Sequence, residues 1–322
     1  MVCKICGNSE QNTTHIGREM MLGLRDEFTY IECAQCACLQ LATPPKEMSK
    51  YYPSTYYSYA NPGGLASILK RQRASYARNG WNPIGALVAY FYGPDNAIRS
   101  VSRLNLKKDA RLLDVGCGSG GLLSNVKRMG FKNLAGVDPF MASSTEREGI
   151  PLLKKELSEI DGEFDVVMLH HAFEHMEDPA SVLEHLRRIL SPDGIIILRI
   201  PLCDSYAWKH YGVNWHQLDA PRHLFLHTNK SVSILAEKAE LVISEVIYDS
   251  TLLQFVVSEE YVRNIAQADK NSYVNDPLRS IFSLGDIRAF RRQCHQLNRD
   301  KNGDSACFYL RKPLTENHEQ TS

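Results

Sequence analysis

Residues 111–138 read RLLDVGCGSGGLLSNVKRMGFKNLAGVD, and this stretch decides the fold. A short apolar run from Leu112 to Val115 leads into a turn with glycines at positions 116, 118, 120 and 121. Apolar residues at helical spacing follow, and Gly130 stands where a helix would stop. A second apolar run then ends at Asp138. This order predicts a strand, a glycine-rich turn, a helix and a second strand.

The turn predicts a binding site for a cofactor that contains a nucleoside. Gly116, Gly118 and Gly120 leave the backbone bare, so a ligand can approach it closely. Asp138, at the end of the next strand, suits the hydroxyl groups of a ribose. A dinucleotide site places a pyrophosphate at the start of the helix. Here Asp114 precedes the first glycine and would repel a diphosphate, whereas it suits a ligand that carries an ammonium and a sulfonium. The pattern therefore predicts S-adenosylmethionine.

Four motifs, in order, resemble those of the class I methyltransferases, which use S-adenosylmethionine. They are LLDVGCGSG at 112–120, GVD at 136–138, FDVVMLHH at 164–171 and LSPDGIIILRIP at 190–201. The likeness covers about 105–250. It implies an α/β protein with a Rossmann-like fold, in which a mostly parallel seven-stranded sheet has an antiparallel last strand.

The resemblance also implies how the cofactor is held. The backbone at Gly116 and Gly118 would hold the methionine part, and Asp114 would help to orient its ammonium. Asp138 would accept hydrogen bonds from the ribose diol. The other expected contacts are Pro139 and Phe140 against the adenine, Glu156 or the Leu157 amide at the adenine amine, and His170 at the methyl group.

Cysteines near the N-terminus predict a structural zinc site in a small, zinc-ribbon-like module. Cys3 and Cys6 form one C-x2-C pair, and Cys33 and Cys36 form a second pair 26 residues later. Two such turns can direct four sulfurs at one tetrahedral ion, and four thiolates leave no open position for catalysis. Forty residues bury little core, so the metal would supply stability. Unligated thiols are the alternative, and Cys38 is a less favoured alternative ligand.

The chain divides by composition into four parts. They are a zinc-binding module at 1–42, a linker with covering helices at 43–104, a methyltransferase domain at 105–313 and a disordered tail at 314–322. Residues 251–304 delay the last strand and are predicted to form a helical cap over the substrate opening. Strands are predicted near 111–116, 133–138, 151–156, 164–170, 194–200, 241–248 and 306–310, and helices near 65–78, 84–104, 119–129, 178–190, 229–239, 256–267 and 284–298.

Composition narrows the class of protein. The 322 residues carry no net charge, which weighs against a large nucleic-acid surface. No apolar run reaches the roughly 18 residues that cross a bilayer, and the first residues do not resemble a secretory signal. Nine cysteines, four of them in C-x2-C pairs, favour a reducing compartment, so a cytoplasmic protein is expected.

The segment HHAFEH at 170–175 supports two interpretations. Ubiquinone-pathway O-methyltransferases and small-RNA 2′-O-methyltransferases resemble it with E-x-x-E-H, which holds a divalent metal together with a later histidine. Here the set would be His171, Glu174 and His175, with His223 as a fourth ligand. Such a set suits zinc or manganese better than magnesium. In metal-free members the Glu-His pair hydrogen-bonds neighbouring loops, and this second interpretation is favoured here.

The polar loop YGVNWHQLDAPRHLFLHT at 211–228 follows the fifth strand of the domain, where a class I chain builds its acceptor pocket. It resembles a segment of zinc-bearing sugar methyltransferases that supplies a histidine base. On that likeness His223 is the first candidate for the general base and His216 the second, because an imidazole titrates near neutral pH. Each histidine can instead tie the loop to the sheet. Arg222 can bind an anionic part of the acceptor or pair with Asp219.

Taken together, the cysteine module, the tyrosine-rich linker and the PRHL loop resemble methyltransferases of deoxysugar and cell-surface polysaccharide pathways. The C-methylating members carry a further C-terminal domain, which this chain is expected to lack. The resemblance therefore implies O-methylation of a sugar or another small polar acceptor. An RNA methyltransferase that grips nucleic acid with the zinc module, and a non-catalytic cofactor-binding scaffold, are the alternatives. A homo-oligomer is compatible with the sequence.

Overall fold

The computed structural model describes residues 1–53 and 64–313, with side chains from residue 68 onward in the second range. The expectations for the tyrosine-rich linker beyond residue 53 and for the tail from residue 314 fall outside these residues. Among the helices described, none combines the length and the apolar character that a membrane span requires.

Strands in the described residues fall into two sheets and are numbered here in chain order. They are β1 Thr13–Arg18, β2 Glu27–Glu32, β3 Leu39–Leu41, β4 Arg111–Val115, β5 Asn133–Val137, β6 Thr145–Arg147, β7 Ile150–Leu153, β8 Phe164–His170, β9 Leu190–Pro201, β10 Phe225–Leu226, β11 Val242–Tyr248 and β12 Ser305–Arg311. The α-helices are α1 Gly64–Asn79, α2 Pro83–Tyr92, α3 Asn96–Ser102, α4 Gly121–Arg128, α5 Pro179–Ile189, α6 Tyr206–Tyr211, α7 Asn229–Lys238, α8 Leu253–Val262 and α9 Leu284–Arg299.

Local sequence explains where several helices begin. The Asp178 carboxylate accepts from the backbone N–H of Ser181, and Pro179 occupies the first turn of α5, where no amide hydrogen is needed. The side chains of Ser283 and Asp286 cap each other's backbone at the start of α9. Gly130, just past the C-terminal end of α4, has a φ of 97°, so the predicted helix stop is confirmed.

The larger sheet has the strand order β11-β12-β9-β8-β4-β5-β7-β6. Strands β9, β8, β4, β5 and β7 are parallel, and β12 runs antiparallel between β9 and β11, as the sequence predicts for the last strand. Because parallel strands end at one edge, Val115, Val137 and His170 finish close together. The cofactor turn and the HHAFEH segment therefore leave the sheet side by side.

The seven predicted strands are present, and a short hairpin adds an eighth. Strand β6 pairs antiparallel with β7 around Glu148 and Gly149, whose φ angles are 53° and 74°. Several predicted boundaries are wrong, and the helix expected over 256–267, for example, spans Leu253–Val262. The strand expected over 151–156 ends at Leu153. The helix expected over 84–104 is two helices, because Gly93 with a φ of 80° and Pro94 interrupt it.

Alternate residues of the large sheet point to opposite faces, and each face has its own core. Leu112, Val166 and Met168 pack with α3 and α4 on one face. Leu113, Val167 and Leu169 lie on the other face, in a larger core that includes α5, α7 and the four N-terminal cysteines. The cysteine module is therefore part of the main core.

The smaller sheet joins the N-terminal module to the main domain. Its order is β1-β2-β3-β10, and β10 comes from the loop after β9. Two further contacts connect the parts: Thr228 donates from its hydroxyl to the Cys36 carbonyl at 2.6 Å, and Lys238 donates to the Ile5 carbonyl at 2.7 Å. The loop that the sequence assigns to the acceptor pocket is thus built partly by the module.

Candidate active site

The glycine turn has the geometry that the sequence predicts. Gly116, Gly118 and Gly120 have φ angles of 77°, 49° and 71°, in the left-handed region that favours glycine. The N–H of Gly116 donates to the Val137 carbonyl at 2.8 Å and fixes the turn against β5. A Cβ on Gly116 would lie 2.7 Å from the Cβ of Ala172. The turn therefore lies directly against the HHAFEH segment.

Asp138 is buried and fixed by the backbone around it. Its carboxylate accepts from the N–H of Gly118 at 3.0 Å and from the N–H of Phe140 at 2.9 Å. One oxygen bonds to each amide, so each keeps a lone pair for a further donor. The arrangement holds the carboxylate rigidly beside the turn and suits a ribose diol.

We expect Asp138→Asn to weaken S-adenosylmethionine binding roughly tenfold or more, because a charged acceptor for the ribose hydroxyls is lost. The asparagine carbonyl oxygen can still accept one of the two backbone N–H groups, so the fold is retained. Titration calorimetry with S-adenosylhomocysteine measures the affinity. Asp161→Asn, an exposed acid before β8 at the opposite edge of the sheet, is the control. Unchanged affinity in Asp138→Asn would remove the ribose role.

Asp114 lies under the turn and is 3% exposed. Among the described residues no side chain or backbone group donates a hydrogen bond to its carboxylate. Burial, together with the nearby charge of Asp138, raises the pKa of Asp114 to about 8. An unpartnered carboxylate in this environment gains most from a cationic ligand, which fits the ammonium of S-adenosylmethionine.

Asp114→Asn is expected to stabilise the ligand-free protein at pH 8 while weakening cofactor binding. The folded chain keeps a proton on Asp114 up to about pH 8, whereas the unfolded chain releases it near pH 3.9. Wild-type stability therefore falls as the pH rises between these values, and asparagine has no such dependence. Denaturant unfolding should show the wild type losing at least about 1 kcal/mol relative to the variant between pH 5 and pH 8. Parallel stability profiles would contradict this interpretation.

The remaining residues expected at the cofactor occupy different environments. Pro139, directly after Asp138, is half-buried, and Phe140, the next residue, is 78% exposed. Glu156 is exposed and begins a short 3-10 helix, Leu157–Glu159. His170 ends β8 with both ring nitrogens buried and without a hydrogen-bond partner in the described structure. The structure thus brings Phe140, Asp138 and the turn together, and the assigned roles stay predictions.

Glu174, His175 and His223 converge beside the turn. One ligand atom from each lies within 4.8 Å of the other two. His175 Nδ1 donates to the Arg222 carbonyl at 2.8 Å, and His223 Nδ1 donates to the Gln217 carbonyl at 2.7 Å. A carbonyl only accepts, so each ring in its neutral form carries its proton on Nδ1 and a lone pair on Nε2. Oriented imidazoles of this kind are typical of metal ligands.

Glu174 is fully buried and stays ionised. Burial alone would raise its pKa, but the hydrogen bond from His171 at 3.1 Å and the neighbouring histidines lower the pKa of Glu174 to about 2. Its Oε2 atom is buried and has no hydrogen-bond partner among the described groups. The cluster therefore joins an anionic oxygen to two imidazole lone pairs, and the Tyr52 hydroxyl lies 3.3 Å from Nδ1 of His175.

His171 differs from the other three residues predicted as metal ligands. Its Nδ1 donates to Glu174, and its Nε2 contacts the Arg199 guanidinium. Arg199 in turn pairs with Asp249 at 2.6 Å. The His171 ring therefore lies between the Arg199 guanidinium and Glu174, and it orients the Glu174 carboxylate. Sequence reasoning missed Arg199, although a charge within the apolar run of β9 was an available signal.

Arg222 and His223 are held by the N-terminal module. The fully buried Arg222 guanidinium contacts Asp219 at 2.6 Å and Glu19 at 3.0 Å. Of the two expectations for Arg222, the structure therefore shows the ion pair with Asp219. The Tyr30 hydroxyl donates to the His223 carbonyl at 2.9 Å. No sequence signal links Glu19 or Tyr30 to this loop, because they lie about two hundred residues away.

His216, the second candidate base, is not one of the three converging residues. Its Nδ1 is buried without a hydrogen bond, 3.9 Å from an Asp304 carboxylate oxygen. Its backbone N–H donates to the Ser258 hydroxyl of α8 at 3.0 Å. Burial lowers the pKa of His216 to about 3, so this imidazole is neutral near pH 7. The catalytic role of either histidine stays a prediction.

The four N-terminal cysteines come together as the spacing predicts. Sulfur atoms of Cys3 and Cys36 lie 3.6 Å apart, and those of Cys6 and Cys33 lie 3.4 Å apart. Tetrahedral zinc with Zn–S bonds of about 2.3 Å places sulfurs about 3.8 Å apart, so the set fits the ion. The hydrogen bond from Cys36 lowers the pKa of Cys3 to about 5. Cys38 is buried outside the group and donates to the Leu39 carbonyl.

Comparison with known proteins agrees with this architecture. Residues 91–246 match the family model described as a methyltransferase domain. The chain is 28% identical over 120 residues to the mitochondrial ubiquinone biosynthesis O-methyltransferase of Saccharomyces cerevisiae, covering 33% of this chain and 38% of that protein. It is 31% identical over 100 residues to the ubiquinone biosynthesis O-methyltransferase of Pseudomonas aeruginosa, covering 27% of this chain and 43% of that protein.

A solved structure described as a S-adenosylmethionine-dependent methyltransferase from Archaeoglobus fulgidus is also similar. It has 20% sequence identity and a TM-score of 0.44, covering 72% of this chain and all of that one. The chain has a Rossmann-like methyltransferase fold, and residues 91–246, a little under half of the chain, match a methyltransferase domain. It spans about two fifths of the length of the two curated relatives, whose names specify ubiquinone biosynthesis and no carbohydrate.

Proposed function

We propose that this chain transfers the methyl group of S-adenosylmethionine to a hydroxyl oxygen of a small polar acceptor. The observation that carries the proposal is the convergence of Glu174, His175 and His223, in which Glu174 and His175 closely follow Ala172, the residue that packs against the cofactor turn. A hydroxyl is a poor nucleophile until its proton is removed or its pKa is lowered. A carboxylate oxygen and two imidazole nitrogens that converge are suited to that task.

A divalent cation held by Glu174, His175 and His223 is the form of activation that this geometry favours. The residues fit such an ion because Glu174 Oε2 is an orphaned buried oxygen and both imidazoles present Nε2. One carboxylate with two imidazoles suits zinc or manganese. When bound, such an ion lowers the pKa of an oxygen that it coordinates.

The chain's own residues then orient the reaction. His171 holds Glu174, and the Arg222 and Gln217 carbonyls hold the two imidazoles, so their acceptor atoms are fixed before substrate binds. A general base at His223 is the alternative. Burial, and to a smaller extent the neighbouring His175 ring, lowers the pKa of His223 to about 4. His223 is therefore a weak base near neutral pH. That value favours a ligand role for this imidazole over proton abstraction.

Buried polar atoms around the cluster support a polyhydroxylated acceptor, such as a sugar. Both ring nitrogens of His170 and the Nδ1 atom of His216 have no hydrogen-bond partner in the described part of the chain. Orphaned groups of this kind usually mark a ligand or an ordered water. A substrate rich in hydroxyl groups would satisfy them, whereas an apolar one would leave them unpaired.

We also propose a structural zinc ion at Cys3, Cys6, Cys33 and Cys36, distinct from the ion beside the cofactor. Its four thiolate ligands leave no position for substrate. The module then acts on the acceptor side by holding the 211–228 loop in place, through the pairing of β3 with β10 and through the contacts of Tyr30 and Glu19.

Transfer of label from methyl-labelled S-adenosylmethionine tests the function. The acceptors are nucleotide sugars, oligosaccharides, a catechol and RNA, each with and without Mn²⁺. We expect label in a sugar as a base-stable methyl ether. Label only in RNA or in the catechol would contradict the sugar proposal. Calorimetry with the cofactor distinguishes a wrong acceptor from a protein that does not bind the cofactor.

A further inference from the structure

The helical hairpin formed by α1 and α2 presents an apolar surface to solvent. Helix α2 reads PIGALVAYFY, and Gly85 is its one buried residue. Ile84 and Leu87 are 54% and 61% exposed, and Trp81, in the turn before the helix, is 84% exposed. A surface helix of a globular protein normally directs its apolar residues into a core. Among the described residues, those of α2 belong to none of the hydrophobic cores.

The same hairpin is strongly basic. Between residues 48 and 94 the chain has Lys50, Lys70, Arg71, Arg73 and Arg78 but no aspartate or glutamate. The whole chain has no net charge, so the remainder is net acidic. Lys70 and Arg71 are exposed, and neither forms an ion pair with any residue that the structure describes.

The hairpin is held in a defined shape. A Cβ on Gly85 would lie 2.1 Å from the Gln72 carbonyl oxygen, so the two helices cross in direct backbone contact. Asn82 caps α2 through the Gly85 N–H and donates to the Gln72 side chain at 2.6 Å. At the other end of α2, the Tyr273 hydroxyl donates to the Phe91 carbonyl at 3.0 Å. Trp81 is therefore held at the tip of a fixed element.

We propose that this hairpin docks the protein on the surface of an anionic lipid bilayer. Exposed tryptophan and aliphatic side chains next to lysine and arginine, without acids, are the features of an interfacial helix. Basic residues near an anionic surface attract it, and the acidic remainder of the chain is repelled, so the hairpin faces the lipid.

A second copy of the chain fits this surface less well. A two-fold interface places the same patch on both partners, so Lys70, Arg71 and Arg78 would face their own copies, and among the described residues Asp95, beside Arg73, is the acid that pairs with a cation of α1. An anionic bilayer supplies both the missing negative charge and the apolar environment.

Vesicle sedimentation with the full chain tests the proposal. We expect binding to phosphatidylcholine vesicles that contain phosphatidylglycerol, release by added salt, and little binding to phosphatidylcholine alone. Trp81→Ser with Leu87→Ser should weaken binding roughly tenfold or more. The control is Val242→Ser on β11, a residue 50% exposed, which should bind like the wild type. Lys70→Glu with Arg71→Glu should remove the preference for phosphatidylglycerol.

Four results would overturn the proposal. They are absence of binding to both kinds of vesicle, equal weakening by Val242→Ser, a wild-type dimer that the Trp81 and Leu87 variant dissociates, and RNA binding that exceeds vesicle binding. Melting temperature and cofactor affinity should be unchanged in the double variant. A lower melting temperature without vesicle binding would indicate that the chain itself covers this surface.

Discussion

Glu174→Gln is expected to lower turnover roughly 10²–10⁴-fold and to leave cofactor affinity unchanged. Glutamine keeps the size of the side chain and can still accept from His171, so the local packing is retained. It removes the negative charge that the buried carboxylate places beside two imidazole lone pairs. The effect should therefore fall on the chemical step and on metal binding.

Metal analysis separates this role from a general loss of structure. The wild type should contain about one zinc in the cysteine module and bind a second divalent ion, whereas Glu174→Gln should keep only the first. Glu260→Gln is the matched control, because Glu260 is also fully buried and accepts from Ser272 and Tyr273. A loss of turnover in both variants would mean that burying a neutral amide, and not the site, is responsible.

The two forms of hydroxyl activation give different patterns. If a cation is held by the cluster, His175→Ala and His223→Ala should be about as damaging as Glu174→Gln, and added Mn²⁺ should raise wild-type turnover. If His223 acts as a base, only its variant should lose most of its turnover, and added Mn²⁺ should leave wild-type turnover unchanged. The second pattern would refute the metal-assisted proposal and leave methyl transfer itself intact.

The cofactor half of the site was predictable because its signals are local. Asp114, the glycines of the turn and Asp138 lie within 25 consecutive residues, and backbone geometry alone places them together. The turn needs positive φ at particular positions, which the sequence announces as glycine. The same holds for β12, whose apolar run has a place in the fold that the resemblance implies.

The acceptor half was predictable only in part, because distant contacts shape it. Glu174 and His175 are adjacent in the chain, but His223 reaches them through a loop held by Glu19 and Tyr30. The spacing of these residues does not indicate that they meet, and His223 was grouped with them only through the resemblance to methyltransferases that carry E-x-x-E-H and a later histidine. The pairing of β3 with β10 was missed for the same reason, since a two-residue strand has no periodicity.

The exposure of α2 could not be predicted from the sequence pattern either. Its apolar run has helical spacing, and such a run normally predicts a buried or covering helix. Whether a neighbouring element covers the run is a property of the tertiary fold. The hairpin of β6 and β7 had a weak local signal, because Gly149 readily adopts the positive φ that a tight turn needs, whereas Glu148 before it is not a typical residue for such a turn.

Cys33→Ser should release zinc and abolish turnover, and cofactor binding should survive at low temperature. Serine cannot replace the thiolate ligand, and the module, although it packs on the main core, loses the metal that would hold its two C-x2-C turns together. The module carries β3, which pairs with β10, and Tyr30, which holds the His223 carbonyl. Losing it frees the loop that positions His223 and Arg222.

The cofactor turn has independent support. Leu112, Leu123 and Leu134 pack on the face of the sheet opposite the module, and Asp138 is held by backbone amides next to the turn. Cofactor affinity measured by calorimetry should therefore change less than about threefold while turnover is lost. The proposal predicts that the acceptor side fails before the cofactor side.

Cys38→Ser is the matched control, because Cys38 is equally buried but lies outside the four-sulfur group. It should keep zinc and turnover, since a serine hydroxyl can still donate to the Leu39 carbonyl. Zinc loss in Cys38→Ser would assign it as a ligand in place of a neighbour. If a zinc-free Cys33→Ser protein kept its turnover, the module could not be what positions His223. If turnover and cofactor binding disappeared in one cooperative transition, the module would support the whole domain, because its cysteines share a core with Leu113 and Leu169 of the central sheet.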